Sequence, residues 1–247
     1  MGKLTGKVAV VTGASKGIGA AIARALGAEG ASVVASYGGD REGAERTAVA
    51  IEASGGKALA VQADMSKEAD VKRLFATIRE TFGRLDVLVN NAGIYRFGPI
   101  EGVTVDEYRA QFDTNVLGPM LAIREALPLF GPEGGSIINV GTGATESTPP
   151  NSVVYIASKM ALNGVTGVLA RELGPRKIRV NSLNPGVTAT EGFKNMADRD
   201  FTNSLVATTP LGRIGKPEDL GGTAVFLASD DSAWLTGEIL VVSGGLR

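Results

Sequence analysis

The sequence predicts a doubly wound α/β fold, a parallel sheet with helices on both faces, in a single domain over residues 1–247. Three observations predict it. Apolar runs of strand length alternate with helical stretches from one end of the chain to the other. A glycine-rich turn, Gly13-Ala14-Ser15-Lys16-Gly17-Ile18-Gly19, joins the first strand to the first helix, as a tight βαβ crossover requires. No linker, internal repeat or low-complexity tract interrupts the alternation, so one domain is the more economical division.

Residues 7–12 are an apolar run ending at Thr12, and residues 20–29 have helical composition closed by Gly30. Residues 32–36 read as the second strand, which a right-handed crossover sets parallel to the first. A helix over 42–54, a strand over 58–62 and a helix over 67–82 behind a Ser66 cap extend the pattern, and residues 87–90 are a fourth strand. Thr104-Val105-Asp106-Glu107 has capping-box spacing and opens a long helical stretch toward Leu129, kinked at Gly118-Pro119. Residues 136–140 form the fifth strand, the next helix carries Tyr155 and is stopped by Gly174-Pro175, and residues 178–184 form the sixth. From 186 to about 211 periodicity fails, and Phe193, Phe201, Leu205 and Val206 sit among Thr, Asn, Asp and Gly. An insertion of that kind between strand and helix predicts a segment that covers a ligand. Pro217 opens a helix through 228, and residues 239–242 supply a last strand.

Composition narrows the chemistry. Hydrophobic residues make up 44% and charged residues 21%, with a formal net charge of −1 and both signs interspersed, so neither nucleic acid nor a membrane surface is an expected partner. The chain has no cysteine and no histidine. That removes thiolate catalysis, the usual general base and the commonest transition-metal ligands, and no metal is expected. No charged-then-apolar leader precedes Val8 and no apolar run nears a membrane span, which predicts an unexported, cytoplasmic protein.

Another proton carrier is needed, and Tyr155-Ile-Ala-Ser-Lys159 offers one. On a helix this spacing puts phenol and ammonium on one face, about 6 Å apart along the axis. A fixed cation there is expected to favour phenolate and bring the tyrosine toward acid/base use. The glycine turn has the place and composition of a phosphate cradle, with backbone N–H groups and the positive end of a helix facing an anion. After the second strand the chain reads Ser36-Tyr37-Gly38-Gly39, with no acid until Asp40. A 2′-phosphate is therefore tolerated, with Lys16 or Arg41 to pair with it. NADP(H) is the expected cofactor, with NAD(H) also accommodated.

Together these motifs resemble the classical short-chain dehydrogenase/reductase family across essentially the whole chain. Thr12 to Gly19 resembles its cofactor loop, Asn90-Asn91-Ala92-Gly93 its strand-four signature, Tyr155-x-x-x-Lys159 its active-site helix and Pro185-Gly186 the turn after strand six. The resemblance implies a Rossmann-type domain with seven parallel strands, and hydride transfer between NAD(P) and a carbonyl/alcohol pair. It implies Tyr155 as general acid/base, Lys159 as the residue that lowers its pKa and binds the nicotinamide ribose, and Asn115 as support for a proton-relay water. It implies cofactor contacts at Gly13, Ser15, Lys16, Gly17, Ile18, Gly19, Ser36, Tyr37, Asn91, Ala92, Gly93, Pro185, Gly186 and Thr188. Asp64 resembles the adenine-contacting acid and Thr190 the threonine that reaches carboxamide or phosphates, though both also read as local turn formers.

The family's substrate-orienting serine falls here on Thr142, which keeps the hydroxyl but stiffens the rotamer and narrows the site. Thr145 and Ser147 lie near enough to share the role. Tyr95, Phe97, Val153, Phe193 and Phe201 are expected in the pocket wall. The expected activity is an NADPH-preferring carbonyl reductase or alcohol dehydrogenase for a small or medium substrate, assembled as a homotetramer. A 3-oxoacyl-carrier-protein reductase, a glucose-type sugar dehydrogenase and an NADP(H)-binding regulatory subunit are the alternatives.

Overall fold

The computed structural model describes residues 2–196 and 198–246. Those residues form a seven-stranded parallel sheet in the order β3-β2-β1-β4-β5-β6-β7. Its strands are β1 (Val8–Val11), β2 (Ser32–Tyr37), β3 (Lys57–Gln62), β4 (Val87–Asn90), β5 (Gly135–Val140), β6 (Ile178–Pro185) and β7 (Ile239–Val242). The helices between them are α1 (Gly17–Ala28), α2 (Arg41–Ala53), α3 (Glu68–Phe82), α4 (Val105–Phe112), α5 (Gly118–Ala126), α6 (Ala144–Ser147), α7 (Val153–Leu173), α8 (Glu191–Met196), α9 (Arg199–Thr208) and α10 (Gly221–Ala228).

Strands buried on both faces explain why β1, β2, β4 and β5 read as near-continuous apolar runs. On one face Leu74 and Ile78 of α3, Ile123 of α5 and Leu173 of α7 pack against Val10, Leu88 and Ile137. On the other, Ile22 and Leu26 of α1, Ile51 of α2 and Leu227 of α10 pack against Val11, Val89 and Ile138. Strand order reverses between β1 and β4, paired from Ala9↔Val87 to Val11↔Val89. A crevice therefore opens beyond their carboxyl ends, where open α/β sheets bind ligands.

The structure corrects several local expectations. Ser66 does not cap α3; its hydroxyl donates to Asp64 Oδ1 (2.7 Å), and the helix starts at Glu68 behind an uncapped Lys67. Thr104 does cap α4, accepting from the Glu107 N–H. The expected kink at Gly118-Pro119 is instead a π turn at Asp113–Leu117, one turn earlier. Gly118 has a packing reason of its own, since a Cβ there meets the Met65 carbonyl at 2.7 Å. Pro217 opens a short 3₁₀ turn, Pro217–Leu220, before α10.

The aperiodic insertion contains two helices, α8 and α9, the first too short to show a repeat. Their caps were the available signal: Thr190 Oγ1 accepts from Phe193 N (3.2 Å) and Asp198 Oδ1 from Phe201 N (2.8 Å). Among the described residues the stretch Val153–Arg176 is, by length and a hydropathy of 1.4, apolar enough to cross a membrane. This departs from the sequence expectation, because its alanines and valines outweigh its polar positions. In the fold α7 packs against β6, with Ser158, Lys159 and Thr166 among its buried residues.

Candidate active site

The glycine turn is built by backbone geometry. Gly13 (φ 66°) and Gly17 (φ 56°) occupy left-handed conformations that suit glycine. A Cβ on Gly19 would lie 2.3 Å from both Asn91 Nδ2 and the Gly13 carbonyl. Asn91 Nδ2 donates to the carbonyls of Thr12 (2.8 Å) and Gly13 (3.1 Å), while the N–H groups of Asn91 and Ala92 both donate to Thr12 Oγ1 at 3.0 Å. Asn91 and Ala92 thus tie the turn after β4 to the turn after β1. Beyond it, α1 opens with no side-chain cap and no acid in its first turn. The first N–H groups of a helix have no intrahelical acceptor, so they and the helix dipole favour an anion at this point.

At the end of β2, Ser36 and Tyr37 are less accessible than the sequence suggests. The Ser36 hydroxyl is fully buried and has no partner among the described residues, and its carbonyl accepts from Ala14 N (2.8 Å). Tyr37 is buried too, at 8% exposure. The sheet continues through both residues, so their side chains are turned into the fold. Asp40, the first acid after the strand, caps α2 by accepting from Gly43 N (3.0 Å). Lys16 pairs with Glu191 (3.8 Å) and Arg41 with Glu45 (2.7 Å), all four side chains being exposed. Asp64 is engaged in its own turn, accepting from Ser66 N and Oγ and pairing with Lys67 (3.2 Å), and the Ser66 hydroxyl leads in holding its pKa below the usual carboxylate value. The local-turn reading of Asp64 therefore accounts for its present contacts.

Beyond β4, β5 and β6 lies a cavity of about 540 Å³. Tyr155 is half-buried in its wall. Desolvation raises the phenol's pKa, the Thr142 hydroxyl beside it pulls the other way, and Tyr95 adds a further rise. Lys159 is buried, its Nζ donates to the Val140 carbonyl (2.8 Å), and burial pushes its pKa down to about 8. The direction at Tyr155 is thus opposite to the expected one. Helical spacing places the ammonium nearby but does not reveal that desolvation dominates at the phenol, or that the ammonium already donates to a strand carbonyl.

Asn115, fully buried in the π turn, has both amide donors in use, on the Ile94 carbonyl (2.8 Å) and Ser158 Oγ (3.0 Å). Its Oδ1 accepts from Ile94 N (2.9 Å). Its side chain therefore braces the loop after β4. A Cβ on Gly93 would sit 3.2 Å from Asn115 Oδ1 and 3.4 Å from Lys159 Nζ, so glycine leaves this corner open. Thr142 is itself braced, its carbonyl accepting from Asn184 Nδ2 (3.1 Å), whose Oδ1 accepts from Ser182 Oγ (2.7 Å). This Asn184–Ser182 support was not anticipated, since both read as ordinary strand positions.

Of the expected residues, Ile18, Asn91, Gly93, Thr142, Pro185, Gly186, Thr188 and Thr190 line the cavity with Tyr95, Phe97, Phe193 and Phe201. Thr145 and Val153 do not. Thr145 Oγ1 folds back onto the Thr142 carbonyl (2.9 Å), and Val153 begins α7 on its outer side, 49% exposed. Leu205, from the segment expected to cover a ligand, also lines it, as do Ile94 and Leu246, which had not been singled out. Gly192 matters for a reason that only the fold reveals: a Cβ there would lie 1.8 Å from the Tyr95 hydroxyl.

Comparison with known proteins adds three findings. The family model described as Enoyl-(Acyl carrier protein) reductase matches residues 13–247. An uncharacterized oxidoreductase of Methylorubrum extorquens is 54% identical over 249 residues, covering 100% of both chains, and 3beta-hydroxysteroid dehydrogenase 1 of Eggerthella lenta is 42% identical over 98% of this chain and 94% of its own. The solved structure of a blue fluorescent protein from a metagenomic library, in complex with NADPH, is similar at a TM-score of 0.93 and 40% identity, over 99% of each chain.

Proposed function

The chain belongs to the short-chain dehydrogenase/reductase family of NAD(P)-dependent oxidoreductases acting on CH–OH groups, and from that premise we propose an NADPH-preferring carbonyl reductase, reversible, for a small or medium ketone, aldehyde or secondary alcohol. One observation carries the reading. Tyr155 meets a cavity beside the Thr142 hydroxyl, on the same helix face as Lys159, at the strand ends where the glycine turn lies.

The tightly packed glycine turn at Gly13, Gly17 and Gly19 and the uncapped start of α1 fit a dinucleotide's phosphates. Lys159 and Asn91 would hold the cofactor's inner half. Bound there, the nicotinamide supplies hydride for reduction or accepts it in oxidation. Tyr155 gives its proton to the carbonyl oxygen in reduction and recovers one in the reverse direction. A phenol with a raised pKa keeps that proton at neutral pH, the form reduction needs. Thr142 holds the substrate oxygen against Tyr155 through its hydroxyl. Once Tyr155 has given up its proton, the Lys159 ammonium offsets the negative charge left behind. Asn115 acts by position, fixing the loop that walls the site.

The preference for NADPH rests on Asp40, whose carboxylate is occupied as a helix cap, and on Lys16 and Arg41. Their ion pairs are exposed and screened by solvent, so either base can turn to a 2′-phosphate. The same reading takes the assembly as a homotetramer with α7 and β7 at its interfaces, on the exposed Met160, Val168 and Ile239, to be checked by sedimentation. The activity test follows NADPH and NADH oxidation against ketones and aldehydes, with wild type and Lys16→Ala. Wild type should favour NADPH, and Lys16→Ala should lose that preference with NADH turnover retained. Tight NADPH binding without turnover of any carbonyl refutes the enzyme reading, and equal use of both cofactors by wild type refutes the preference.

A further inference from the structure

Resting on the reading of this site as a carbonyl reductase's, we propose that its substrate is an uncharged, ring-bearing ketone or the matching secondary alcohol, selected by Phe97 and Phe201. Tyr155 is flanked by two rings that meet it edge-on, Tyr95 at 6.2 Å and 71° and Phe97 at 5.7 Å and 82° between centroids and planes. Tyr95 and Phe97 are tilted only 31° from each other at 5.8 Å, so they make one aromatic wall beside the reacting hydroxyl. Both are largely uncovered, 40% and 48% exposed.

The lid supplies a second apolar surface. Phe201 and Leu205 fall four apart on α9, on one face of the helix, and both line the cavity. No residue of α9 is buried, and Phe201 is 54% exposed. An amphipathic helix normally buries its apolar stripe, whereas this stripe looks into the cavity. A flat ring between the Tyr95–Phe97 wall and Phe201 would cover all three surfaces, in the offset or edge arrangements that aromatic groups favour at about 4.5–7 Å.

Charge and hydrogen bonding reject the competing classes. Among the described lining residues Lys159 is the sole Lys, Arg, Asp or Glu, and its ammonium is held by the Val140 carbonyl. A carboxylate or phosphate finds no other cation there. A polyol fares little better. Thr188 Oγ1 donates to the Gly186 carbonyl (3.0 Å), Ser152 Oγ donates to the Pro149 carbonyl, and Thr190 Oγ1 accepts from Phe193 N. Sugar hydroxyls would be desolvated against aromatic faces with few partners, which binding sites penalise.

The test compares kcat/KM with NADPH for α-tetralone, methyl hexyl ketone and acetoacetyl-N-acetylcysteamine, and with NADP for glucose. It uses wild type, Phe97→Ala, Phe97→Leu and Phe201→Ala, and measures NADPH dissociation constants alongside. The expectation is that α-tetralone is the best substrate by about tenfold or more. Each alanine variant should lose at least about fivefold more on α-tetralone than on methyl hexyl ketone, through KM, with NADPH affinity kept. Phe97→Leu, which keeps bulk without a ring, should also lose ring preference. Turnover that favours methyl hexyl ketone, the thioester or glucose overturns the inference and leaves the reductase reading standing, as does an equal loss on both ketones. Turnover of none of the four, with NADPH bound, overturns both.

Discussion

Lys159→Met should change how stability depends on pH, and the size of the effect follows from burial. The Lys159 ammonium is held below its ordinary 10.5, at about 8, by desolvation. A lysine whose folded pKa lies below its unfolded value weighs against the fold while both states are charged. The penalty is lifted as pH rises through the folded pKa and is gone above the unfolded one. At about 1.4 kcal/mol per pH unit, the fall from 10.5 to about 8 corresponds to roughly 3 kcal/mol. Methionine fills similar space without the charge, although it abandons the Val140 carbonyl, a loss of about 1–3 kcal/mol. Near pH 7 the two effects partly cancel. Urea unfolding of both proteins from pH 7 to about pH 10, in a Tyr155→Phe background that removes the neighbouring phenol, isolates the pH term. Wild-type Lys159 should gain on Lys159→Met by up to about 1.4 kcal/mol per unit above pH 8. A flat difference, or one that falls, refutes the claim that burial depresses this lysine.

Three further outcomes follow from contacts already described. Gly19→Ala forces a Cβ to 2.3 Å from Asn91 Nδ2 and the Gly13 carbonyl, so NADPH affinity measured by fluorescence titration should fall at least about tenfold while the protein still folds. Asn115→Ala removes three hydrogen bonds and opens a cavity in the π turn; chemical denaturation should show a loss of about 2–4 kcal/mol, and KM for the carbonyl should rise as the Ile94 loop loosens. Gly192→Ala puts a methyl where the Tyr95 hydroxyl lies, 1.8 Å away, so Tyr95 must swing aside. Thermal stability should hold or rise by about 0.5–1 kcal/mol, since alanine is the better helix former, while carbonyl KM increases.

The sheet was legible because strands buried on both sides must be largely apolar, as Val8–Val11 and residues 87–89 are. Glycine positions marked the turns for a similarly direct reason, since backbone conformation and close approach restrict them. The α8–α9 segment was not legible, because six residues give α8 too few turns for a periodic signal and α9 turns only the Phe201 and Leu205 pair toward the cavity. At the site, spacing along α7 placed Tyr155 and Lys159 together, but their pKa directions depend on packing by other segments. Val140, Thr142 and Tyr95 come from β5, the turn after it and the loop after β4. Thr145 and Val153 were misplaced for the same reason: nearness to Thr142 and Tyr155 in the chain does not say which way a side chain faces. Gly192 and Leu246 carried no signal until the lid and the C-terminal turn met the cavity.

The central claim is that Tyr155 delivers the proton at this site. Its most direct measurement is single-turnover reduction of α-tetralone by wild type and Tyr155→Phe, both pre-loaded with NADPH and matched for NADPH affinity. Loss of the phenolic hydroxyl should slow the chemical step by about 10²–10⁴-fold with cofactor binding unchanged. A Tyr155→Phe variant that reduces the ketone at the wild-type rate would contradict the account.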